Sequence, residues 1–216
     1  MTVWAIVPIK PLNRAKSRLA PVLTTEQRER LALGMLLHNL KVLTATPVIK
    51  GVLVISRDMK ALASAREILG VQTLQESGTP ELNNALRRAA RMLLSWGASA
   101  TLILPADVPL VAQTDIEQMV HMGRFRNTLV IAPDQVKDGS NAIFSRPPNL
   151  IDFAFGVGSY ERHIKAAQLV GAEVHTYESD RLALDVDTAE DLRNYYALAE
   201  QLGEKPVEYF EIPLPQ

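Results

Sequence analysis

Short apolar runs alternate along this chain with stretches whose apolar residues recur every three or four positions. VWAIVPI (3–9), GVLVIS (51–56), ATLILPAD (100–107) and TLVIAPD (128–134) are continuous apolar runs and predict buried strands. Between them, TTEQRERLALGMLLHNLKVLTAT (24–46) predicts a helix. Thr24 and Gln27 fit a capping box, and Leu36, Leu40 and Leu43 share one face. MKALASAREILG (59–70) and ELNNALRRAARMLLSWG (81–97) predict helices closed by Gly70 and Gly97, and TDIEQMVHMGR (114–124) a helix capped by Thr114.

The order to this point is β-α-β-α-α-β-α-β. Apolar strands alternating with helices predict an α/β fold with a mainly parallel central sheet flanked by helices. The pattern loosens after residue 135. NAIFS (141–145) and AEVHTYE (172–178) read as strands, with the helix-like SYERHIKAAQLVG between them. AEDLRNYYALAEQLG (189–203) is the last helix, followed by a tail punctuated by prolines and irregular after about residue 204. There is no internal repeat and no linker, so residues 1–216 are expected to form a single domain.

Composition narrows the chemistry. Of the 216 residues 47% are apolar, enough for a sizeable core, and the net charge of −1 offers no field for nucleic acid or anionic membrane. The absence of Cys excludes disulfides, thiolate metal sites and thiol nucleophiles. No apolar run approaches the roughly 20 residues of a membrane span, and nothing resembles a signal peptide. The expectation is a soluble cytoplasmic protein.

Open α/β sheets bind ligands beyond the carboxyl ends of their strands, and unusual polar residues stand at those places. IKPLNRAKSRL (9–19) puts Lys10, Arg14, Lys16 and Arg18 in one loop after the first strand. Such a loop can surround phosphates, although it has no glycine and is not a P-loop; the other reading is a solvated basic turn. ILPADVPLV (103–111) ends its strand on Asp107, either a divalent-metal ligand or a turn residue. In LALDVDTAEDL (182–192), Asp185 and Asp187 are two apart and face one side if the chain is extended. Like charges so close call for a metal ion, a basic side chain, or a helix start. Thr188 with Asp191 already fits the capping pattern, which makes Asp191 structural and leaves Asp185 and Asp187 open to a metal. DGSNAIF (138–144) and FGVGSYERH (155–163) are small-residue turns. Gly156 and Gly158 allow close backbone approach, and Ser159 begins a helix whose N–H groups favour an anion. His163 reads as structural, and no Ser-His-Asp arrangement is evident.

IKPLNRAKSRLAPVL, ELNNAL, PADVPLV, DGSNAIF, FGVGSYERH and LDVDTAEDL, in this order, resemble the 2-phospho-L-lactate or phosphoenolpyruvate guanylyltransferases of coenzyme F420 biosynthesis. The resemblance runs from residue 3 to about 195. It implies a nucleotide-diphospho-sugar transferase-like fold, GTP as nucleotide donor, a small phosphorylated three-carbon acid as acceptor, and Mg²⁺. The metal ligands carry over to Asp107, Asp185 and Asp187, and the catalytic cations to Lys10 and Lys16. Arg18 and Asn83 carry over as nucleotide contacts, and Asn141, Gly156 and Ser159 as acceptor contacts. Asn141 stands where other members carry Thr, which favours a backbone contact there.

In the implied reaction an acceptor phosphate oxygen attacks the α-phosphorus of GTP. The nucleophile is already ionised, so no general base is required. Lys10→Ala and Lys16→Ala should then slow turnover and leave stability almost unchanged, as for solvated loop lysines. Asp187→Asn should relieve repulsion with Asp185 and can stabilise the protein without metal. The rival readings are another nucleotidyltransferase of this fold with a different phosphorylated acceptor, and a non-catalytic GTP-binding relative. The choice among phosphoenolpyruvate, 2-phospho-L-lactate and 3-phosphoglycerate is not legible, with a lean to the first. A homodimer and contact with the downstream F420 transferase stay open.

Overall fold

Seven strands form one sheet in the computed structural model, which describes residues 1–77 and 81–207. They are β1 (Val3–Pro8), β2 (Ile49–Ser56), β3 (Val71–Gln75), β4 (Ala100–Ile103), β5 (Thr128–Pro133), β6 (Ser140–Arg146) and β7 (Glu173–Thr176). Their spatial order is β3-β2-β1-β4-β6-β5-β7. All pairings are parallel except those of β6, which runs against both β4 and β5. The reversal has a local cause. The link between β5 and β6 is too short for a crossover, and Asp134 closes it by accepting from the amides of Asp138 and Gly139.

The helices are α1 (Thr25–Ala45), α2 (Met59–Arg66), α3 (Leu82–Ser95), α4 (Gln113–Met122), α5 (Ser159–Leu169), α6 (Asp180–Ala183) and α7 (Ala189–Gln201). Leu36, Leu40 and Leu43 of α1 pack with Leu62 of α2 and Met119 of α4 against one face of the sheet. Leu86 and Leu93 of α3 and Ala167 of α5 cover the other face. This two-sided cover is why β1, β2, β4 and β5 read as unbroken apolar runs.

The pattern-based reading needs three corrections here. VQTLQ forms β3, so strand and helix alternate without a gap from β1 to β5. β3 is an edge strand paired only with β2, and its half-exposed side chains gave no apolar run. Second, α2 ends at Arg66, and Gly70, at φ +87°, turns the chain into β3. Third, Thr114 does not cap α4. The helix begins one residue earlier, where the Ala112 amide donates to the Asp115 carboxylate. That carboxylate also accepts from Tyr177 and Ser179, tying α4 to the chain beyond β7. Residues 204–207 lie outside helix and strand, as expected of the tail; the rest of the tail falls outside the described residues.

A third apolar cluster stands apart from the sheet faces. Leu19 and Leu23 of the basic loop pack with Leu31 and Met35 of α1, Leu184, Val186, and Leu192 and Tyr195 of α7. It fixes the chain's C-terminal part against the loop after β1, bringing the acids of one to the cations of the other.

Candidate active site

Three segments meet beyond the carboxyl ends of β1 and β4. The first is the loop after β1. It folds as two short 3₁₀ turns, Leu12–Arg14 and Ser17–Leu19, whose Leu12 and Leu19 are buried. Asp58, the N-cap of α2, accepts from the Leu12 amide at 2.8 Å and anchors the first turn. Between the turns Lys16 takes a left-handed conformation, φ 53° and ψ 39°, which costs a non-glycine residue about 1–2 kcal/mol. The second segment leaves β4 and carries Asp107. The third is the extended stretch after α6, docked by a hydrogen bond from the Val186 amide to the Asp107 carbonyl at 3.0 Å. Leu184 and Val186 are buried there, so Asp185 and Asp187 project together to the other side.

Asp107, Asp185 and Asp187 each offer an oxygen, and the three lie within 4.8 Å of one another. Into this group reaches Lys16. Its Nζ lies 3.1 Å from Asp107 Oδ2 and 2.9 Å from Asp187 Oδ1, and its side chain is 6% exposed. Burial alone would depress the Lys16 pKa, but the two carboxylates outweigh it and hold the pKa above its ordinary value. Asp187 is the converse case. Burial would raise its carboxyl, but Lys16, with Lys10 and Arg18 behind it, keeps it below the usual range. Among the described residues Asp185 has no cation in contact. Burial, then repulsion from Asp107 and Asp187, push its carboxyl up to about 6. Three converging carboxylates with one ammonium are an unbalanced set whose hard oxygens suit Mg²⁺. Of the candidates for a partner to these acids, the structure supplies a basic side chain to Asp107 and Asp187, and it gives Asp185 none among the described residues.

Lys10, Arg14 and Arg18 are exposed around this centre and make no ion pair with the described residues. Lys16 differs from them. It is no solvated loop lysine, which overturns the expectation that removing it would leave stability unchanged. The expectation for Asp187→Asn is overturned for the same reason, because Asp187 neutralises a buried ammonium.

Asp191 is structural, as its spacing from Thr188 predicts. The two form the capping box of α7, and Asp191 Oδ2 accepts from the amides of Thr188 and Asp187 at 2.7 and 3.1 Å. Asp191→Asn is expected to lower stability by about 0.5–2 kcal/mol and to leave the metal dependence of the rate intact. Paired melts and initial rates over a Mg²⁺ series check this, and a right-shifted Mg²⁺ dependence would show Asp191 to be part of the metal site.

The glycine turn before α5 lies beside the start of β6. Gly156 and Gly158 have φ of +123° and +68°, so both positions favour glycine. Gly158 is the N-cap of α5, and Ser159 is its first residue, buried. The amides of Gly158 and Tyr160 donate to Asp138 and that of Ser159 to the Gly156 carbonyl. Asn83 of α3 pins the turn's approach, its amide both accepting from the Phe155 N–H at 2.8 Å and donating to the Phe155 carbonyl at 3.3 Å. The structure thus directs Asn83 to the glycine turn.

His163 is buried and bridges the same turn to β6. Its Nε2 accepts from the Ala154 amide at 2.9 Å, so its Nδ1 carries the hydrogen toward Ser140 Oγ, 3.0 Å away. Burial, then the nearby Arg162, lower its pKa to about 4, which keeps it neutral and structural. The Asn141 side chain turns the other way, toward the acidic segment, with Nδ2 within hydrogen-bonding distance of Leu182 O, Ala183 O and Asp185 Oδ1. Asp138 and Ser140 lie in DGSNAIF and His163 in FGVGSYERH, but nothing in either stretch signals that the three residues meet.

Residues 3–209 match the family described as "Guanylyl transferase CofC like". The chain is 40% identical over 192 residues to a phosphoenolpyruvate guanylyltransferase of Rubrobacter xylanophilus, covering 89% of this chain and 92% of that one. It is 30% identical over 200 residues to a 2-phospho-L-lactate guanylyltransferase of Methanocaldococcus vulcanius, covering 93% and 87%. Solved structures repeat the fold at low identity. A protein of Desulfovibrio desulfuricans assigned to the nucleotide-diphospho-sugar transferases superposes with a TM-score of 0.78 at 15% identity, covering 98% of this chain and 94% of that one. A nucleotidyl transferase of Methanothermobacter gives 0.67 at 13%, covering 93% and 99%.

Proposed function

Because the chain belongs to the CofC-like guanylyl transferase family, we propose that it transfers GMP from GTP to phosphoenolpyruvate, releasing pyrophosphate, as a step toward coenzyme F420. The observation that carries this reading is the meeting of Asp107, Asp185 and Asp187 with Lys16 beyond the carboxyl ends of β1 and β4. Two polyanions must approach each other there. Asp107, Asp185 and Asp187 would hold Mg²⁺, which would supply charge neutralisation and alignment of the phosphates. Lys16, Lys10 and Arg18 stabilise the negative charge that grows on the α-phosphate and the departing pyrophosphate. An acceptor phosphate oxygen forms the new P–O bond as the bond to the β-phosphate oxygen breaks, and no proton moves. His163, neutral and enclosed, takes no part in the transfer.

The acceptor's carboxylate and phosphate are placed at the glycine turn. Asp138 already engages the amides of Gly158 and Tyr160, so the contact falls to the backbone ahead of Gly158. Phosphoenolpyruvate is preferred to 2-phospho-L-lactate because the more similar of the two relatives is named for it. No described helix is long and apolar enough to cross a membrane, and we place the reaction in the cytoplasm, with the product passing to the downstream F420 transferase.

The test is mass spectrometry of products from GTP and Mg²⁺ with each of phosphoenolpyruvate, 2-phospho-L-lactate and 3-phosphoglycerate, the downstream transferase being added to trap an unstable product. A guanylylated phosphoenolpyruvate with matching pyrophosphate is the expected result. Turnover with ATP, CTP or UTP in preference to GTP, or with none of the three acids, overturns it.

A further inference from the structure

The first two residues of β6 face two different halves of the site. Asn141 is buried, and its Nδ2 lies 3.0 Å from Leu182 O, 3.1 Å from Ala183 O and 3.2 Å from Asp185 Oδ1. The two carbonyls end the short α6, where the helix itself provides no donors. By meeting them, the amide stops the helix and releases the chain into the extended stretch that carries Asp185 and Asp187. The same nitrogen also holds one oxygen of Asp185, the acid that meets no cation among the described residues. Ser140, one residue earlier, is turned to the glycine turn. Its amide donates to Ser159 Oγ at 3.0 Å and its hydroxyl meets His163 Nδ1 at 3.0 Å, while His163 holds the Ala154 amide.

We propose that Ser140 and Asn141 form a two-sided clamp, Asn141 being the positioning residue for the metal-binding acid Asp185 and Ser140 the positioning residue for the acceptor turn. The proposal rests on the metal and acceptor reading given above. Strand neighbours are joined by one peptide unit and point to opposite sides, so a single rigid strand end sets the spacing between the acid and the turn. Neither side chain needs to touch a substrate. Each acts through a group that does, as outer hydrogen bonds act on metal ligands. The sequence places a carboxamide at 141, a short neutral side chain whose two N–H donors serve these three acceptors, one N–H being shared between two of them.

The experiment compares Asn141→Ala with Ser140→Ala. Binding of Mn²⁺ alone is followed by the electron paramagnetic resonance of the free ion, and the KM for phosphoenolpyruvate is measured at saturating GTP and Mn²⁺. Asn141→Ala is expected to weaken Mn²⁺ about 10–100-fold, more than it changes the KM for phosphoenolpyruvate once Mn²⁺ is saturating. Ser140→Ala is expected to do the opposite, raising that KM about tenfold with Mn²⁺ affinity kept. If both variants shift both quantities together, in proportion to their loss of melting temperature, the residues are simply structural and the clamp is overturned. Asn141→Gln, which keeps the donor, guards against a folding failure: partial recovery of Mn²⁺ affinity supports the proposal, and no recovery despite a normal melt overturns it. Asp185→Asn in the wild-type background separates the two levels. If it leaves Mn²⁺ binding unchanged, the metal reading itself has failed. If it abolishes binding while Asn141→Ala does not weaken it, only the clamp has.

Discussion

On the metal assignment proposed above, Asp185→Asn is expected to slow guanylyl transfer by at least about 10²-fold at saturating Mg²⁺, since a lost metal contact would remove several kcal/mol of charge stabilisation, and yet to make the protein more stable in chelator. The two effects share one cause. Asp185 is pressed between Asp107 and Asp187 in a partly buried place, and its carboxyl titrates at about 6 instead of 3.8. A carboxyl raised in the folded state binds more protons than the unfolded chain between these values, so stability falls as pH rises from about 4 through 6. Discounted for solvent screening, the penalty at pH 7 is about 1–2 kcal/mol. Asparagine keeps the oxygen that accepts from Asn141 and abolishes the charge. In EDTA at pH 7 the variant should melt about 2–8 °C higher, with the gap closing toward pH 4; in Mg²⁺ and GTP the order should reverse. A variant that is inactive but no more stable than the wild type in EDTA would mean that Asp185 is not a strained acid.

Lys16→Met should lose both rate and stability, whereas Lys10→Ala should lose rate alone. Among the described residues Lys16 is the single cation in contact with these acids, pairing with two of the three. Its side chain is nearly enclosed, while those of Asp107 and Asp187 are 34% and 39% exposed. Breaking a fully buried pair costs about 3–5 kcal/mol; with both acids partly in water the loss here should be about 2 kcal/mol, or roughly 4–8 °C. The rate should fall about 10²–10³-fold, as when a preorganised donor to a developing anion is removed. Mn²⁺ should then raise the melting temperature of Lys16→Met more than that of the wild type, because a divalent ion neutralises the acids the ammonium has left. Differential scanning fluorimetry with and without Mn²⁺, beside initial rates, reads both. A Lys16→Met protein as stable as the wild type and slow only in turnover would return Lys16 to the class of its solvated neighbours.

Much of the fold was legible because it is governed by contacts within a few residues. The Thr24–Gln27 and Thr188–Asp191 boxes were both visible as spacings, and both form. The apolar runs of β1, β2, β4 and β5 marked strands covered on both faces. Alternation around Val186 put Asp185 and Asp187 on one side, given an extended chain there. β3 escaped because an edge strand, paired once and half in water, carries too little apolar signal, and the start of α4 was placed one residue late because Asp115 caps it from inside.

The sequence by itself therefore determined the alternating α/β architecture, the three acids and the basic loop. Only the tertiary structure decided which of those charges meet. Lys16 reaches Asp107 across 91 positions and Asp187 across 171, and Asn141 reaches Asp185 across 44. Local periodicity reports which face of an element avoids water. It carries no record of how much water a charge has lost or which distant partner has replaced it, and that exchange separates Lys16 from Lys10 and Asp185 from Asp187.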